Sequence, residues 1–233
     1  MQPFDFQKGA LILIDKPYRW TSFDVVKSVK GQARRISGIK RIKVGHAGTL
    51  DPLATGLLLI CTGKKTKEIE SYQAQEKEYT GTIFLGATTP CFDLEQEIDY
   101  RFDIANITPE QVHQTATQFL GEIDQTPPMF SAIKIDGKRA YEYARNDEEV
   151  KIKAKKITIF DFELTRIELP EIDFRIRCSK GTYIRSIARD FGLALNNGAH
   201  LTALRRTKIG DFDVKDAMSP AAFKELCSEN NVE

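Results

Sequence analysis

The sequence predicts an α+β fold with a mixed, mainly antiparallel central sheet flanked by helices and loops. Segments with strand-like and helix-like patterns follow one another in an irregular order, which differs from the regular alternation of parallel-sheet proteins. The 233 residues are 41% hydrophobic, enough for the core of one large domain or two small ones. Since neither an internal repeat nor a low-complexity segment forces a division, we expect a single domain over residues 1–233.

The first predicted elements are a strand and a helix. Residues 10–15 form a short apolar run suited to a buried strand. Residues 22–35 carry apolar side chains at helical spacing, which predicts a helix with a basic outer face: Phe23, Val26, Val29 and Ala33. Two further segments, residues 57–61 and 79–85, predict strands.

A second helix has a strong start signal at Thr108. The Thr108 hydroxyl can cap the helix, Pro109 suits its first position, and Gln111 can close a capping box. Gly121 is the predicted end of this helix because glycine commonly follows the last helical turn.

Two strands and two helices are predicted in the last third of the chain. Residues 157–169 and 172–178 predict strands, the second alternating apolar with charged side chains. Residues 182–195 predict an amphipathic helix that leaves Arg185 and Arg189 outside its apolar stripe, so we expect both to point away from the core. A short final helix begins at Ser219-Pro220, and residues 146–149 have the composition of a mobile polar loop.

The most informative segment is residues 45–56, Gly-His-Ala-Gly-Thr-Leu-Asp-Pro-Leu-Ala-Thr-Gly. Its three glycines permit backbone conformations closed to other residues, and Pro52 fixes φ next to Asp51. Such clusters are often ordinary turns. A His, an Asp and three glycines just before an apolar run nevertheless make the Asp51 carboxylate a candidate for chemistry.

Composition excludes several classes of protein. No apolar run approaches the roughly 20 residues that cross a bilayer, and residues 1–5 lack the order of a signal peptide, so we expect a soluble, cytoplasmic protein. The four cysteines form no Cys-x-x-Cys pair and three histidines offer no metal cluster. Leu58 and Lys65 break the P-loop pattern that ends near residue 66. A zinc base deaminase is excluded because no His-x-Glu exists.

Charge is unevenly distributed, although the net charge is only +1. Residues 25–44 hold seven basic residues and no acidic one, whereas residues 93–103 form an acidic stretch. A second basic region lies between residues 175 and 208. Charge runs are usually solvated faces, but two basic regions flanking a candidate catalytic loop favour a surface that binds nucleic-acid phosphates. The residues we expect to bind these phosphates are Arg34, Arg35, Lys40, Arg41, Lys180 and Arg205.

Residues 45–56 match almost letter for letter the Gly-His-x-Gly-x-Leu-Asp-Pro-x-Ala-Thr-Gly loop of the bacterial tRNA pseudouridine synthases of the TruB type, which this chain resembles. Other blocks of that family recur in family order, so the resemblance covers residue 11 to about residue 208. They are Asp15-Lys16-Pro17 with Thr21-Ser22, Lys77-Glu78-Tyr79, residues 126–134, and Ser179-Lys180-Gly181-Thr182-Tyr183-Ile184-Arg185. The resemblance implies the pseudouridine-synthase fold in a single catalytic domain.

The resemblance also implies a reaction, the isomerisation of the uridine at position 55 in the T arm of tRNA to pseudouridine without metal or cofactor. It identifies Asp51 as the essential aspartate and Arg185 as the cation that favours its charged form. Tyr79 matches the tyrosine that stacks on the target base. From position alone, Arg185 would be a surface arginine and Tyr79 a core residue.

Four further residues acquire expected roles from the same resemblance. His46 would contact the extruded nucleotide, and Leu204 would line the uracil pocket. Lys16 and Lys134 would either support the loop or contact RNA.

The expected partner is the T-arm stem-loop of tRNA, bound by a monomer that needs no protein partner, guide RNA or membrane. Only 18 residues follow Lys215, so we expect no C-terminal PUA domain.

The chain departs from the family pattern at three places. Arg19 stands where the family usually has Gly, Pro90-Cys91 interrupts a usual Thr-Asp-Thr run, and Asn146-Asp147 replaces a common Gly. The alternative from another class is a tRNA-binding or tRNA-folding protein that acts mainly without catalysis.

Overall fold

A computed structural model describes residues 4–131, 133–135, 137–144, 150 and 152–229. The predicted polar loop at residues 146–149, including Asn146-Asp147, lies outside these residues. The chain divides into two compact units: the first comprises Met1–Tyr79 and Leu204–Glu233, and the second comprises Thr80–Ala203.

The described elements confirm the predicted α+β class. In chain order they are β1 (Leu11–Lys16), α1 (Ser22–Ser37), β2 (Val44–His46), β3 (Thr55–Thr62), α2 (Ile69–Ala74), β4 (Lys77–Leu85), β5 (Ala87–Thr88), β6 (Tyr100–Arg101), α3 (Pro109–Thr117), β7 (Gly121–Gln125), β8 (Lys134–Ile135), β9 (Lys138–Arg139), α4 (Ala140–Ala144), β10 (Lys155–Glu168), β11 (Glu171–Cys178), α5 (Ile184–Ala194), β12 (Ala199–Ile209), β13 (Phe212–Asp213) and α6 (Pro220–Glu229).

Strand β3 is the centre of the first unit. It pairs antiparallel with β1 and β2, and its start runs parallel to β12, where Arg206 lies opposite Gly56. Side chains from both faces of β3 are buried: Leu58 and Ile60 pack with α1 and α6, whereas Leu57 and Leu59 pack with α2 and the end of β12. Burial on both faces explains why this strand is an uninterrupted apolar run rather than an alternating one.

Helix α1 begins as predicted, and three of the four residues of its predicted apolar stripe are buried: Val26, Val29 and Ala33. Thr21 caps it and forms a capping box with Asp24, and Gly38 ends it in the left-handed conformation with φ 67°. Phe23, predicted to be part of the apolar stripe, is 61% exposed. The prediction is wrong for Phe23 alone, because the buried face is made by Ser22, Val25, Val26, Val29 and Ala33, and its centre lies about 100° around the helix from Phe23.

The second unit is built on the long antiparallel hairpin of β10 and β11, within the strand order β12-β4-β11-β10-β7. The alternation predicted for β11 is confirmed, since Ile172, Phe174, Ile176 and Cys178 are buried. Four phenylalanine rings pack together between this hairpin, α5 and the segment after α3: Phe119, Phe162, Phe174 and Phe191.

The predicted start of helix α3 is confirmed, whereas its predicted end at Gly121 is wrong. Thr108 and Gln111 form the predicted capping box, with Pro109 in the first turn. The helix stops at Thr117, and Gly121 begins β7 instead of ending the helix. Tighter hydrogen bonds close the last turn before Gly121, whose φ of 88° turns the chain into the strand.

All four cysteines are buried free thiols. Within the described residues, no helix is long and apolar enough to cross a membrane.

Candidate active site

Asp51 lies on the loop that connects β2 to β3, and its neighbours on both sides are hydrogen-bonded. Ser22 at the start of α1 binds Leu50 twice: the Leu50 amide donates to the Ser22 hydroxyl at 2.8 Å, and that hydroxyl donates to the Leu50 carbonyl at 3.1 Å. The Ala54 amide donates to the Asp51 carbonyl at 3.1 Å and closes the turn. Asp51 itself is half-buried.

The inner side of this loop is bound by the guanidinium of Arg206. Arg206 is 1% exposed, and its nitrogens donate to the Leu57 carbonyl at 2.8 Å, the Gly48 carbonyl at 3.0 Å and the Thr49 carbonyl at 3.4 Å. Gly56 makes this approach possible, since a Cβ there would lie 2.3 Å from the Arg206 carbonyl oxygen. The parallel pairing of β3 with β12 therefore puts a buried cation under the loop that carries Asp51.

A second buried cation, Lys16, holds the other side of the loop. Its ammonium group donates to the carbonyls of Trp20 at 2.5 Å, Pro17 at 3.1 Å and Pro52 at 3.2 Å, and its side chain is fully buried. The Arg19 amide also donates to the Pro52 carbonyl, at 2.9 Å. Of the two roles expected for Lys16, this geometry is that of a loop support.

His46 ends β2 immediately before the loop, and its Nδ1 is buried without a hydrogen-bond partner among the described residues. Burial is the main cause that lowers the pKa of His46, and the positive charge of Arg206 lowers it further, against a smaller opposite effect from the Gly48 backbone. The imidazole is therefore mainly neutral at physiological pH.

The other predicted site residues of the first unit lie on β4 and β12. Tyr79 is 8% exposed on β4. Leu204 is half-buried on β12, two residues before Arg206. Neighbouring Arg205 forms a two-pronged ion pair with Asp15 at 2.7 and 3.0 Å, so part of its charge is already neutralised within the unit.

Arg185 lies in the second unit and is buried, although the sequence placed it outside the apolar stripe of α5. Its nitrogens donate to the carbonyls of Cys91 and Phe130, each at 3.0 Å, and its Nε lies 3.7 Å from the Asp93 carboxylate. The expectation of an exposed Arg185 is wrong because carbonyl groups from loops packed on α5 solvate the guanidinium in place of water. Its pairing with Asp51, a residue of the other unit, stays a prediction.

The loop after β7 is fastened to the start of α5. Buried Gln125 exchanges two hydrogen bonds with the backbone of Tyr183, at 2.8 and 3.1 Å. The Ser186 hydroxyl donates to the Thr126 carbonyl at 2.9 Å, and Arg189 donates to the same oxygen at 3.1 Å. The sequence analysis did not identify Gln125 and Ser186. The one indication of their importance was that each lies next to a block matched to the family, residues 126–134 and residues 179–185.

The two predicted basic regions differ in solvent exposure and in ion pairing. The first is a surface, with exposed side chains at Lys27, Arg34, Arg35, Lys40, Arg41 and Lys43. In the second, Lys180 is exposed, but Arg185 and Arg206 are buried, and Arg175 is paired with Asp161 and Glu163. The expectation that this second region as a whole forms a phosphate-binding surface is therefore wrong, because counting charges along the sequence ignores partners supplied by neighbouring strands.

Lys134 lies in the short strand β8. Its role in supporting the loop or contacting RNA stays a prediction. Among the described residues, no cluster of three His, Cys, Asp or Glu side chains could hold a metal ion.

Two family models match this chain, and the first of them includes the Asp51 loop. The family model described as TruB family pseudouridylate synthase (N terminal domain) matches residues 34–184, and that of the tRNA pseudouridylate synthase B C-terminal domain matches residues 185–233. The tRNA pseudouridine synthase B of Flavobacterium johnsoniae is 59% identical over 226 residues, which cover 97% of this chain and 99% of the relative. Its namesake from Phocaeicola vulgatus is 53% identical over 229 residues, or 98% and 97%.

Among solved structures, a Cbf5-Nop10-Gar1 complex contains a chain with 28% identity and a TM-score of 0.73, over 98% of this chain and 58% of that one. An H/ACA RNP bound to a substrate RNA containing 2'-deoxyuridine gives 25% identity and a TM-score of 0.68, over 96% and 56%. This chain thus spans less than two thirds of either neighbour. With the family matches, these similarities confirm the predicted pseudouridine-synthase fold.

The lowered pKa of His46 predicts a pH-dependent contribution to stability. In the folded protein this pKa lies below the ordinary value of 6.5, so below that pH the unfolded chain binds a proton that the folded chain resists. The His46 contribution is fully present above pH 6.5 and is lost as the pH falls. In urea titrations, the stability of wild type relative to His46→Gln should therefore decline between pH 8 and pH 5.5. A difference that stays constant over this range would contradict the assignment.

Proposed function

Because this chain belongs to the TruB family of pseudouridylate synthases, we propose that it isomerises the uridine at position 55 in the T arm of tRNA to pseudouridine. The observation that supports this proposal most strongly is the position of the Asp51 carboxylate. It lies on a loop whose backbone carbonyls accept hydrogen bonds from the buried side chains of Arg206 and Lys16. The reaction replaces the carbon–nitrogen bond between base and ribose with a carbon–carbon bond. The group that it requires is one correctly positioned anion, and a bound cofactor is not needed.

The bond changes define what the site has to supply. The bond between uracil N1 and ribose C1′ breaks, the base turns within the pocket, and C5 of the base joins C1′. C5 then loses its proton, and N1 gains one, so the product is an isomer of the substrate. In the proposed reaction Asp51 either attacks the nucleotide covalently or stabilises an oxocarbenium-like state and assists proton removal from the ribose.

The remaining predicted residues act on the charge of Asp51 and the position of the base. We assign to Arg185 the role of holding Asp51 ionised, since an opposite charge favours the carboxylate. Tyr79 would stack on the uracil and assist the transfer of its C5 proton, and Leu204 would line the same pocket. A stacked uridine cannot reach Asp51, so it has to leave its stack, and neutral His46 would contact the extruded nucleotide.

Recognition of tRNA would rest on phosphates and on the shape of the folded T arm. The exposed basic residues of α1 and the following loop support this proposal, in particular Arg34, Arg35, Lys40 and Arg41. Lys180, Arg205 and Lys134 remain proposed RNA contacts. We propose that the chain acts as a monomer in the cytoplasm, and that its catalytic domain needs neither a guide RNA nor a protein partner.

The catalytic proposal predicts that the purified wild-type chain alone forms pseudouridine at position 55 of an unmodified tRNA transcript, while Asp51→Asn forms none. The substitution removes an anion but keeps the shape of the side chain, so affinity for tRNA should stay within a few-fold. Base-resolution mapping of pseudouridine and filter binding measure the two quantities. Asp211→Asn, at an exposed carboxylate, is the control and should keep full turnover.

Three results would change the proposal. Near-normal turnover of Asp51→Asn would refute the catalytic role of this residue. Modification of a different tRNA uridine would refute the position. Tight tRNA binding without any pseudouridine formation by wild type would favour the alternative of a tRNA-binding or folding protein.

The binding proposal predicts that replacing Arg34 and Arg35 with Ala weakens tRNA binding and flattens its dependence on salt. Each lost phosphate contact should reduce the slope of log affinity against log salt by roughly one. An isolated T-arm hairpin should compete nearly as well as whole tRNA. The control is the double variant Arg101→Ala, Lys215→Ala, which removes two exposed charges elsewhere. An unchanged slope in the Arg34, Arg35 variant would contradict the proposed phosphate surface.

A further inference from the structure

Three exposed aromatic side chains lie between β1 and the first turn of α1. Tyr18 is 52% exposed, Trp20 36% and Phe23 61%. Among the described residues of the first unit, these three are the only large hydrophobic side chains that are exposed. We call residues 18–23 the aromatic segment. Its exposure lacks a structural explanation, because α1 and the neighbouring strands bury other side chains in their cores.

The aromatic segment is fastened to the backbone on both sides of Asp51. Ser22 binds Leu50, and the Arg19 amide donates to the Pro52 carbonyl at 2.9 Å. The Lys16 ammonium bridges the carbonyls of Trp20 and Pro52. These bonds fix the distance between the aromatic rings and the Asp51 loop, so that a molecule bound on one would be held in register with the other.

Cations accompany two of the rings. The Arg19 guanidinium lies 5.5 Å from the centre of the Tyr18 ring, and the Lys27 ammonium lies 4.7 Å from the centre of the Phe23 ring. Asp24 is the acidic residue within this group, and it serves the helix cap and contacts Lys27 at 3.7 Å. Aromatic faces with adjacent cations are the combination that binds unpaired nucleotides, through base stacking and phosphate attraction.

Arg19 adds an independent indication. It adopts φ 65°, a left-handed conformation that glycine reaches without strain and that residues with a Cβ rarely adopt. Its side chain is exposed. A side chain retained on an unfavourable backbone, at the surface and beside an aromatic ring, is better explained by contact with a ligand than by folding.

We propose that the aromatic segment is a stacking surface for unpaired RNA bases that flank the uridine at Asp51. This inference rests on the proposed function, because extrusion of one base leaves its neighbours in the loop without a stacking partner. Trp20 and Tyr18 stack on those bases, while Arg19 and Lys27 contact the adjoining phosphates. The occupant is therefore single-stranded RNA rather than a protein.

The test uses Trp20 as its own reporter, because it is the single tryptophan of the chain. An unmodified T-arm hairpin is titrated into full-length Asp51→Asn protein, which keeps the complex unreacted, and tryptophan fluorescence is followed alongside filter binding. Stacking of a base on the indole should quench the fluorescence with the same midpoint as the binding curve. Unchanged fluorescence while filter binding shows a complex would overturn the proposal and leave a protein partner as the better occupant.

Substitutions supply a second readout. Trp20→Ala and Tyr18→Ala should each weaken hairpin binding by roughly tenfold, the effect of losing one stacked base. Phe160→Ala is the matched control: Phe160 is 45% exposed in the second unit with the Arg177 guanidinium 5.5 Å from its ring. It should bind the hairpin as wild type does. Unchanged affinity in both Trp20→Ala and Tyr18→Ala would refute the surface.

Arg19→Gly separates folding from binding. Glycine suits φ 65°, so this variant should be at least as stable as wild type in urea and yet bind the hairpin more weakly. It also keeps the test valid if Trp20→Ala fails to fold. Wild-type pseudouridine formation with unchanged affinity in Tyr18→Ala and Arg19→Gly would reject the surface alone. Hairpin binding and quenching without any pseudouridine formation would support the surface and reject the proposed function.

Discussion

The arrangement around Asp51 depends on two buried cations that bind backbone carbonyls of its loop. Taking a charge out of water costs several kcal/mol, and a protein offsets this cost only with well-aligned hydrogen bonds. Arg206 makes three such bonds to Gly48, Thr49 and Leu57, and Lys16 makes three to Pro17, Trp20 and Pro52. Because the cations occupy these carbonyls, the loop has one preferred conformation, and the position of the Asp51 carboxylate follows from it.

This interaction also explains other features of the first unit. Arg206 reaches the loop because β12 runs parallel to the start of β3, and that pairing requires Gly56, where a Cβ would meet the Arg206 backbone. Ser22 and Lys16 bring the ends of α1 and β1 to the same loop. Residues far apart in the sequence therefore converge on one short segment, as expected when a catalytic group has to be held rigidly by packed elements.

Local sequence signals predicted elements well and predicted side-chain environments poorly. The apolar run of β3, the capping box at Thr108 and the alternation of β11 act through neighbours in the chain, so the sequence contains their cause. The burial of Arg185 and Arg206 depends on carbonyls supplied by distant loops and strands. Nothing in the local pattern reveals those carbonyls. From position alone Arg185 was predicted to be a surface arginine, and Arg206 fell within a basic region that was predicted to be a surface. The motif predicted Asp51, but the cation beneath it could be found only in three dimensions.

The most direct measurement of this account is amide hydrogen exchange in Arg206→Lys. Lysine keeps the charge but lacks the planar fork that reaches three carbonyls. Exchange of residues 47–54 should accelerate by about tenfold or more, corresponding to at least ~1.4 kcal/mol of lost local stability, while helix α3 in the second unit should exchange as in wild type. Unchanged exchange in residues 47–54 of a folded Arg206→Lys protein would contradict the claim that this cation holds the Asp51 loop.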